Sequence, residues 1–266
     1  MTYLLALTLA GSAGAASAPG SGEVLSDQDA SPPGVIFLVD QSEDMDEDCG
    51  LSGSSGRTCL EEVHDAIVQI AEHYSWAEFG VIGTDEDADT EFYPVATLGS
   101  TSDEIDTALS GLVTYDHQRN LAEALSMMAD QYLTNTTTGN SDPWDDAPID
   151  ARCKEIHVIV LTVGRPEGDS YPSHDSSTGL TVDVVCEDSS YGDRDQCDYD
   201  NVVYNLFNNF DARSDLADDQ VVVTHTVGIK IDALSEAHSL FQNASDELGG
   251  EGVYTVAAEG DEILTR

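Results

Sequence analysis

Gly34-Val-Ile-Phe-Leu-Val-Asp-Gln-Ser-Glu-Asp-Met45 is the stretch on which the fold of this chain turns. Its apolar run, Val35 to Val39, is rich in β-branched and aromatic side chains, and Pro32, Pro33 and Gly34 punctuate it in front. A short unbroken run of this kind suits a strand buried on both faces, at the centre of a parallel sheet. It stops at Asp40, Ser42 and Asp44, which place oxygen-bearing side chains at alternate positions. Open α/β sheets hold ligands at the carboxyl ends of central strands. Clustered oxygens are also what a hard cation such as Mg²⁺ or Ca²⁺ requires.

Outward from that stretch, strand and helix patterns alternate. Leu60 to Tyr74 carries Val63, Ala66, Ile67, Ile70, Ala71 and Tyr74 at the spacing of one helix face. Phe79 to Thr84 reads as a second buried strand. Phe92 to Thr97 reads as an edge strand, because Pro94 sits in it. Ser102, followed by Asp103 and Glu104, opens a helix with Ile105, Ala108, Leu109 and Leu112 on its apolar face. Leu121 to Leu133 is a further helix. Glu155 to Thr162, with the run Ile156 to Leu161, is a buried strand. Gly164 to Tyr199 is rich in Gly, Ser and Asp and reads as a long insertion on the strand-end face. Val202 to Phe210 is helical, Gln220 to Ile229 a strand, Ala233 to Leu248 a helix stopped by Gly249-Gly250, and Gly252 to Ala257 a last strand. The expected architecture is α/β: a doubly wound, mostly parallel central sheet with helices on both faces. It forms one domain over 34–266, preceded by a flexible leader over 19–33.

Composition narrows the partners. The chain holds 9 Lys+Arg against 52 Asp+Glu, a net charge of −43. That balance excludes nucleic acid and anionic membrane surfaces. It fits adaptation to a salty medium, a set of calcium sites, or both. Tyr3 to Ser17 is apolar and small, too short to span a bilayer, and leads into Ala13-Gly-Ala15 and Ala16-Ser-Ala18. Both are small-x-small sites, and Pro19 disfavours cleavage at the second, so residues 1–18 contain a signal peptide and the chain is expected to be secreted or on the cell surface. No later segment is apolar enough to cross a membrane. Export permits disulfides among Cys49, Cys59, Cys153, Cys186 and Cys197, with the pairing left open.

In order along the chain, Val35 to Met45, Phe79 to Ile82, Asn120-Leu-Ala-Glu-Ala-Leu125, Cys153 to Pro166 and Val223 to Ile229 resemble the landmarks of the von Willebrand factor type A domain. The likeness covers roughly Gly34 to Ala258 and is most similar to the domain of type IV pilus tip adhesins and other exported bacterial proteins. The resemblance implies a non-catalytic adhesion domain whose metal site draws oxygens from three loops and completes its coordination with a carboxylate of a protein partner. Carried over by position, Asp40 and Ser42 match the expected ligands. Asp44 stands where a serine is expected, Arg119 where a threonine is expected and Val163 where an aspartate is expected. Val163 offers no oxygen. Arg119 brings a permanent cation whose fork of donors matches carboxylates. Two arrangements compete. In one, Arg119 replaces the metal in an internal salt bridge. In the other, Asp40, Ser42 and Asp44 still hold a cation, helped by Asp46, Asp48 or water. A third, plainer reading leaves all three side chains capping backbone donors of the turn.

Other candidate sites carry plainer readings. Asp85, Asp87 and Asp89 form D-x-D-x-D, yet Thr90 and Ala96 occupy the positions where a calcium loop needs Gly and Glu. Asp193, Asp195, Asp198 and Asp200 are candidates for a calcium-stabilised loop. His157 and His225 lie in buried strands and read as satisfied core residues. His64 shares a helix with Glu61 and Asp65 and reads as solvated. No zinc spacing, phosphate loop or nucleophile elbow is present, so no enzyme is expected. The leading expectation is a protein- or matrix-binding domain with a degenerate metal site. The alternatives are a structural component of a pilus or envelope assembly and a hydrolase on a doubly wound sheet.

Overall fold

The computed structural model describes residues 32–50, 56–84, 95–115, 119, 121–133, 156–166, 194–208, 221–232, 234–247 and 252–257. Among them run the strands β1 (Gly34–Val39), β2 (Glu78–Gly83), β3 (Ile156–Thr162), β4 (Val222–Ile229) and β5 (Tyr254–Ala257). The helices are α1 (Cys59–His73), α2 (Ser102–Leu109), α3 (Leu121–Met127), α4 (Arg194–Asn208) and α5 (Glu236–Gln242). All five strands are parallel, in the order β2-β1-β3-β4-β5.

Alternation along β1 explains the layers. Val35, Phe37 and Val39 pack with α1 and α2 residues such as Val63, Ile67, Ile105 and Leu109. Ile36 and Leu38 face the other way, among Leu121, Leu125, Val202, Leu206 and Phe241 of α3, α4 and α5. A strand flanked by helices on both faces must be apolar at every position, and all six residues of β1 are buried. The sheet is therefore doubly wound, as the alternation of patterns led one to expect.

Several boundaries differ from the sequence reading. The cap of α2 is Thr101, one residue before Ser102: Thr101 Oγ1 accepts from the Glu104 amide, and the Glu104 carboxylate accepts from the Thr101 amide at 2.8 Å. A capping box needs its Glu three residues on, which places the cap at Thr101. Helix α3 is not uniform; from Met128 to Leu133 it widens into a π-helical turn. Helix α4 begins at Arg194, so the last residues of the stretch read as an insertion are helical. The sequence reading began this helix at Val202; the missed signal is Tyr199, which carries the apolar stripe of Val202, Val203 and Leu206 back by one turn among acidic residues. Tyr199 is fully buried, meets Phe241 edge-on at 5.2 Å and bonds the Thr226 hydroxyl at 2.7 Å. Burial raises its phenol well above the usual range.

Only the end of the expected edge strand is described. There Ala96 makes a single antiparallel bridge to Val81 on the outer side of β2. The remainder of Phe92 to Thr97, and the calcium-loop candidates Asp85, Asp87, Asp89 and Asp193, lie outside the described residues, as do residues 1–31. Cys49 and Cys59 form a disulfide that ties the turn after β1 to the start of α1. Among the described residues no helix is long and apolar enough to cross a membrane.

Candidate functional site at the carboxyl end of the central strand

In this strand order, β1 is flanked by β2 and β3, so the chain reverses direction across the sheet beside β1. A crevice between β1 and β3 at their carboxyl ends is where an open parallel sheet offers a ligand site. Asp40 is the first residue beyond β1 and is completely buried. Its amide donates to the Leu161 carbonyl at 3.0 Å, which extends the β1–β3 ladder by one bond and fixes where its side chain stands.

The turn that follows is pinned from three sides. The Gln41 amide donates to Thr84 Oγ1 at 2.9 Å, beyond the end of β2. Its side-chain Nε2 donates to the Val113 carbonyl at 2.8 Å, and its own carbonyl accepts from the Tyr115 amide at 2.8 Å. Glu43 to Asp46 then forms one 3₁₀ turn, anchored by the fully buried Met45. Lys230, just beyond β4, reaches the Asp48 carbonyl at 2.9 Å.

Both Asp40 oxygens are engaged. Oδ1 accepts from the Ser42 amide at 2.8 Å, and Oδ2 accepts from the Thr162 hydroxyl at 2.8 Å. Arg119 lies across the carboxylate, with Nε 3.5 Å from Asp40 Oδ2, and its Nη2 pairs with Asp44 Oδ2. Arg119 is itself buried, whereas the Asp44 side chain is 46% exposed. Gly164 makes this possible: a Cβ there would come within 2.7 Å of Arg119 Cζ and 2.9 Å of Nε. Ser42 Oγ is buried and makes no hydrogen bond among the described residues. Arranged this way, the residues do not fit a divalent ion. Each Asp40 oxygen already accepts a hydrogen bond, a guanidinium lies between the two carboxylates, and the Val163 side chain carries no ligand atom.

The sequence-derived residues Asp40, Ser42, Asp44 and Arg119 thus converge on one point. Thr162, Thr84, Gln41 and Gly164 were missed. Thr162 ends β3 directly beside Asp40 in the parallel register, which pairs Val39 with Leu161. That register was the signal available. The acidic stretch around Cys197 does not form the expected loop: its residues from 194 on belong to α4. Asp200 is mostly buried, its Oδ1 has no hydrogen-bond partner among the described residues, and desolvation pushes its carboxyl up to about 8.

His64, read as solvated, instead pairs with a neighbouring helix, whereas His157 and His225 are satisfied within the sheet as expected. His64 bonds Asp106 of α2 at 2.7 Å, joining α1 to its neighbour. His157 on β3 and His225 on β4 stack with ring centroids 5.3 Å apart, with His157 Nδ1 3.1 Å from His225 Nε2. The Val253 amide donates to His225 Nδ1 at 3.1 Å. That bond fixes the tautomer: Nδ1 is bare, so Nε2 carries the proton and donates to His157. Burial, followed by the neighbouring His157, lowers His225 to about 4.

No family model matches the chain, and no curated protein matches it in sequence. Solved structures with a similar backbone include an aerotolerance-related membrane protein from Bacteroides fragilis. It is 10% identical over 86% of this chain and 92% of that one, with a TM-score of 0.47. BatB from Bacteroides thetaiotaomicron is 12% identical over 86% and 91%, with a TM-score of 0.46. Proximal thread matrix protein 1 from the mussel byssus is 11% identical over 87% of this chain and 45% of that one, with a TM-score of 0.46.

Proposed function

We propose that this chain is an exported, non-catalytic module of the von Willebrand factor type A class that binds a protein or matrix partner. The face at the carboxyl ends of its strands makes the contact. The observation that carries the reading is the buried Asp40 at the β1–β3 crossover, held by Thr162 and Arg119 beneath a turn that three separate segments pin. So much structure around one carboxylate shapes a surface. Both Asp40 oxygens accept hydrogen bonds from the fold itself, which supports a structural rather than a proton-transferring role for this carboxylate. Around the site the same face displays apolar contact points: Leu234, 95% exposed in the loop after β4, and Val113, 51% exposed in the loop after α2. The signal-peptide pattern in residues 1–18 supports an extracellular or envelope setting.

The test is saturable binding of the full chain to immobilised extracellular-matrix and basic proteins. Asp44→Lys, on the proposed face, is expected to weaken capture by about tenfold. Trp76→Ser, beside the amino end of β2 at the opposite pole, should leave it unchanged. Capture that is insensitive to both variants, or absent, would sink the reading.

A further inference from the structure

We propose that the Arg119 guanidinium is this site's own cation. It takes the position a divalent ion would occupy against Asp40 and Asp44, so the face is assembled without bound metal. The inference deepens the binding reading above and rests on it for what the face does.

Charge requires such a partner. A carboxylate with no solvent exposure is stable in its ionised form only when paired and hydrogen-bonded. Asp40 has two hydrogen bonds, from Ser42 and Thr162, and one cation, Arg119. Three positions cooperate in this. Arg119 supplies the charge, Gly164 supplies the room in which a Cβ would collide with the guanidinium, and Val163 withholds the oxygen a metal would need. The glycine leaves room for the guanidinium, and valine at 163 adds no further carboxylate to the two that Arg119 already faces.

The arrangement sets the chemistry of the partner. Two carboxylates against one guanidinium leave one negative charge, and it is displayed by Asp44, the half-exposed member. Arg119 is buried with its guanidinium turned to Asp40 and Asp44, so it is not presented to a partner's carboxylate. The group that complements this surface is a basic side chain.

The experiment is Mn²⁺ binding to the full chain, counted by electron paramagnetic resonance up to about 1 mM free ion, the weak end for extracellular cation sites. Wild type and Asp40→Asn are expected to bind the same number of ions, held diffusely by the acidic surface. Asp44→Asn, at a half-exposed position, serves as the comparison if Asp40→Asn does not fold. One additional site in the wild type that either variant removes overturns the inference. Arg119→Thr combined with Val163→Asp is expected to gain one Asp40-dependent site, and a folded double variant without it would also overturn the inference. The two readings fail separately. An Asp40-dependent ion in the wild type removes the guanidinium reading and leaves the binding face, whereas absent capture removes the face and leaves the ion count unchanged.

Discussion

Gly164 shows how much one absent side chain can decide. Its hydrogen leaves space for the flat face of Arg119, which in turn neutralises Asp40. Gly164→Ala is expected to cost about 1–3 kcal/mol of unfolding free energy, because the guanidinium has to move within a packed site. The same change in an Arg119→Ala background should cost far less, since nothing remains to collide with. Denaturant unfolding of the two singles and the double gives the coupling directly, and additive costs would contradict the contact. His225 makes a different residue-scale prediction. It is neutral in the fold, with its folded value lowered to about 4 from an ordinary 6.5. The unfolded chain therefore binds a proton that the folded one refuses. The stabilising contribution is complete above 6.5 and is lost as pH falls towards 4, by roughly 3 kcal/mol. The His157 ring and the Val253 amide hydrogen-bond the two ring nitrogens of His225. Protonating His225 Nδ1 breaks the bond from Val253. Relative to wild type, His225→Gln should flatten stability between pH 6.5 and 4. Parallel pH curves would refute the assignment.

At the scale of elements, α4 joins two unlike faces. Tyr199 and Leu206 sit in the core, while Asp200, the residue after Tyr199, is drawn partly inside. A helix advances about 100° per residue, so the neighbour of a core position sits at the margin of the buried stripe. Desolvation there raises the Asp200 carboxyl to about 8, so the fold holds a proton that the unfolded chain releases near 3.8. The sign is opposite to that of His225: this contribution is complete below 3.8 and is lost as pH rises to about 8. Asp200→Asn is accordingly expected to stabilise the protein at pH 8 by about 1–3 kcal/mol and to do little at pH 4. Thermal melts at the two pH values check it, and a stabilisation that is greater at pH 4 would be the wrong sign. The disulfide works at this scale too. With the Cys49 amide on the Arg57 carbonyl and the Cys59 amide on the Glu47 carbonyl, it fastens the Asp40 turn to the first turn of α1.

Over the whole molecule, charge is the strongest influence. Nine basic residues face 52 acidic ones, and three of the nine, Arg119, Arg165 and Lys230, stand at the carboxyl end of the sheet. Arg119 pairs with Asp40 and Asp44, Arg165 with Glu236 of α5, and Lys230 with the Asp48 carbonyl. Scarce cations thus bind the loops of one face together. The rest of the surface repels itself, and salt relieves that repulsion. Raising NaCl from about 0.1 M to about 1 M shortens the screening length from about 10 Å to about 3 Å. The unfolding temperature should rise by several degrees or more over that range, and a flat or falling melting curve would contradict the argument.

The sequence by itself determined the sheet. Unbroken apolar runs at Val35 to Val39 and Ile156 to Leu161 admit little other than strands buried on both faces, and the alternating helices force parallel pairing. It also placed Asp40, Ser42 and Asp44 at a strand end and put Arg119 within reach as a competitor for any cation. Helix boundaries were legible where the caps were understood. The start of α4 was lost, where its apolar stripe runs back from Val202 through acidic sequence to Tyr199. What only the tertiary structure decided was the set of contacts between distant segments: the hydroxyl of Thr162 on Asp40, the space at Gly164, the disulfide partner of Cys49 and the pairing of His157 with His225. Periodicity reports which face of an element is buried. Which atoms meet across two elements depends on strand order and register, and those are set by the packing of the whole sheet.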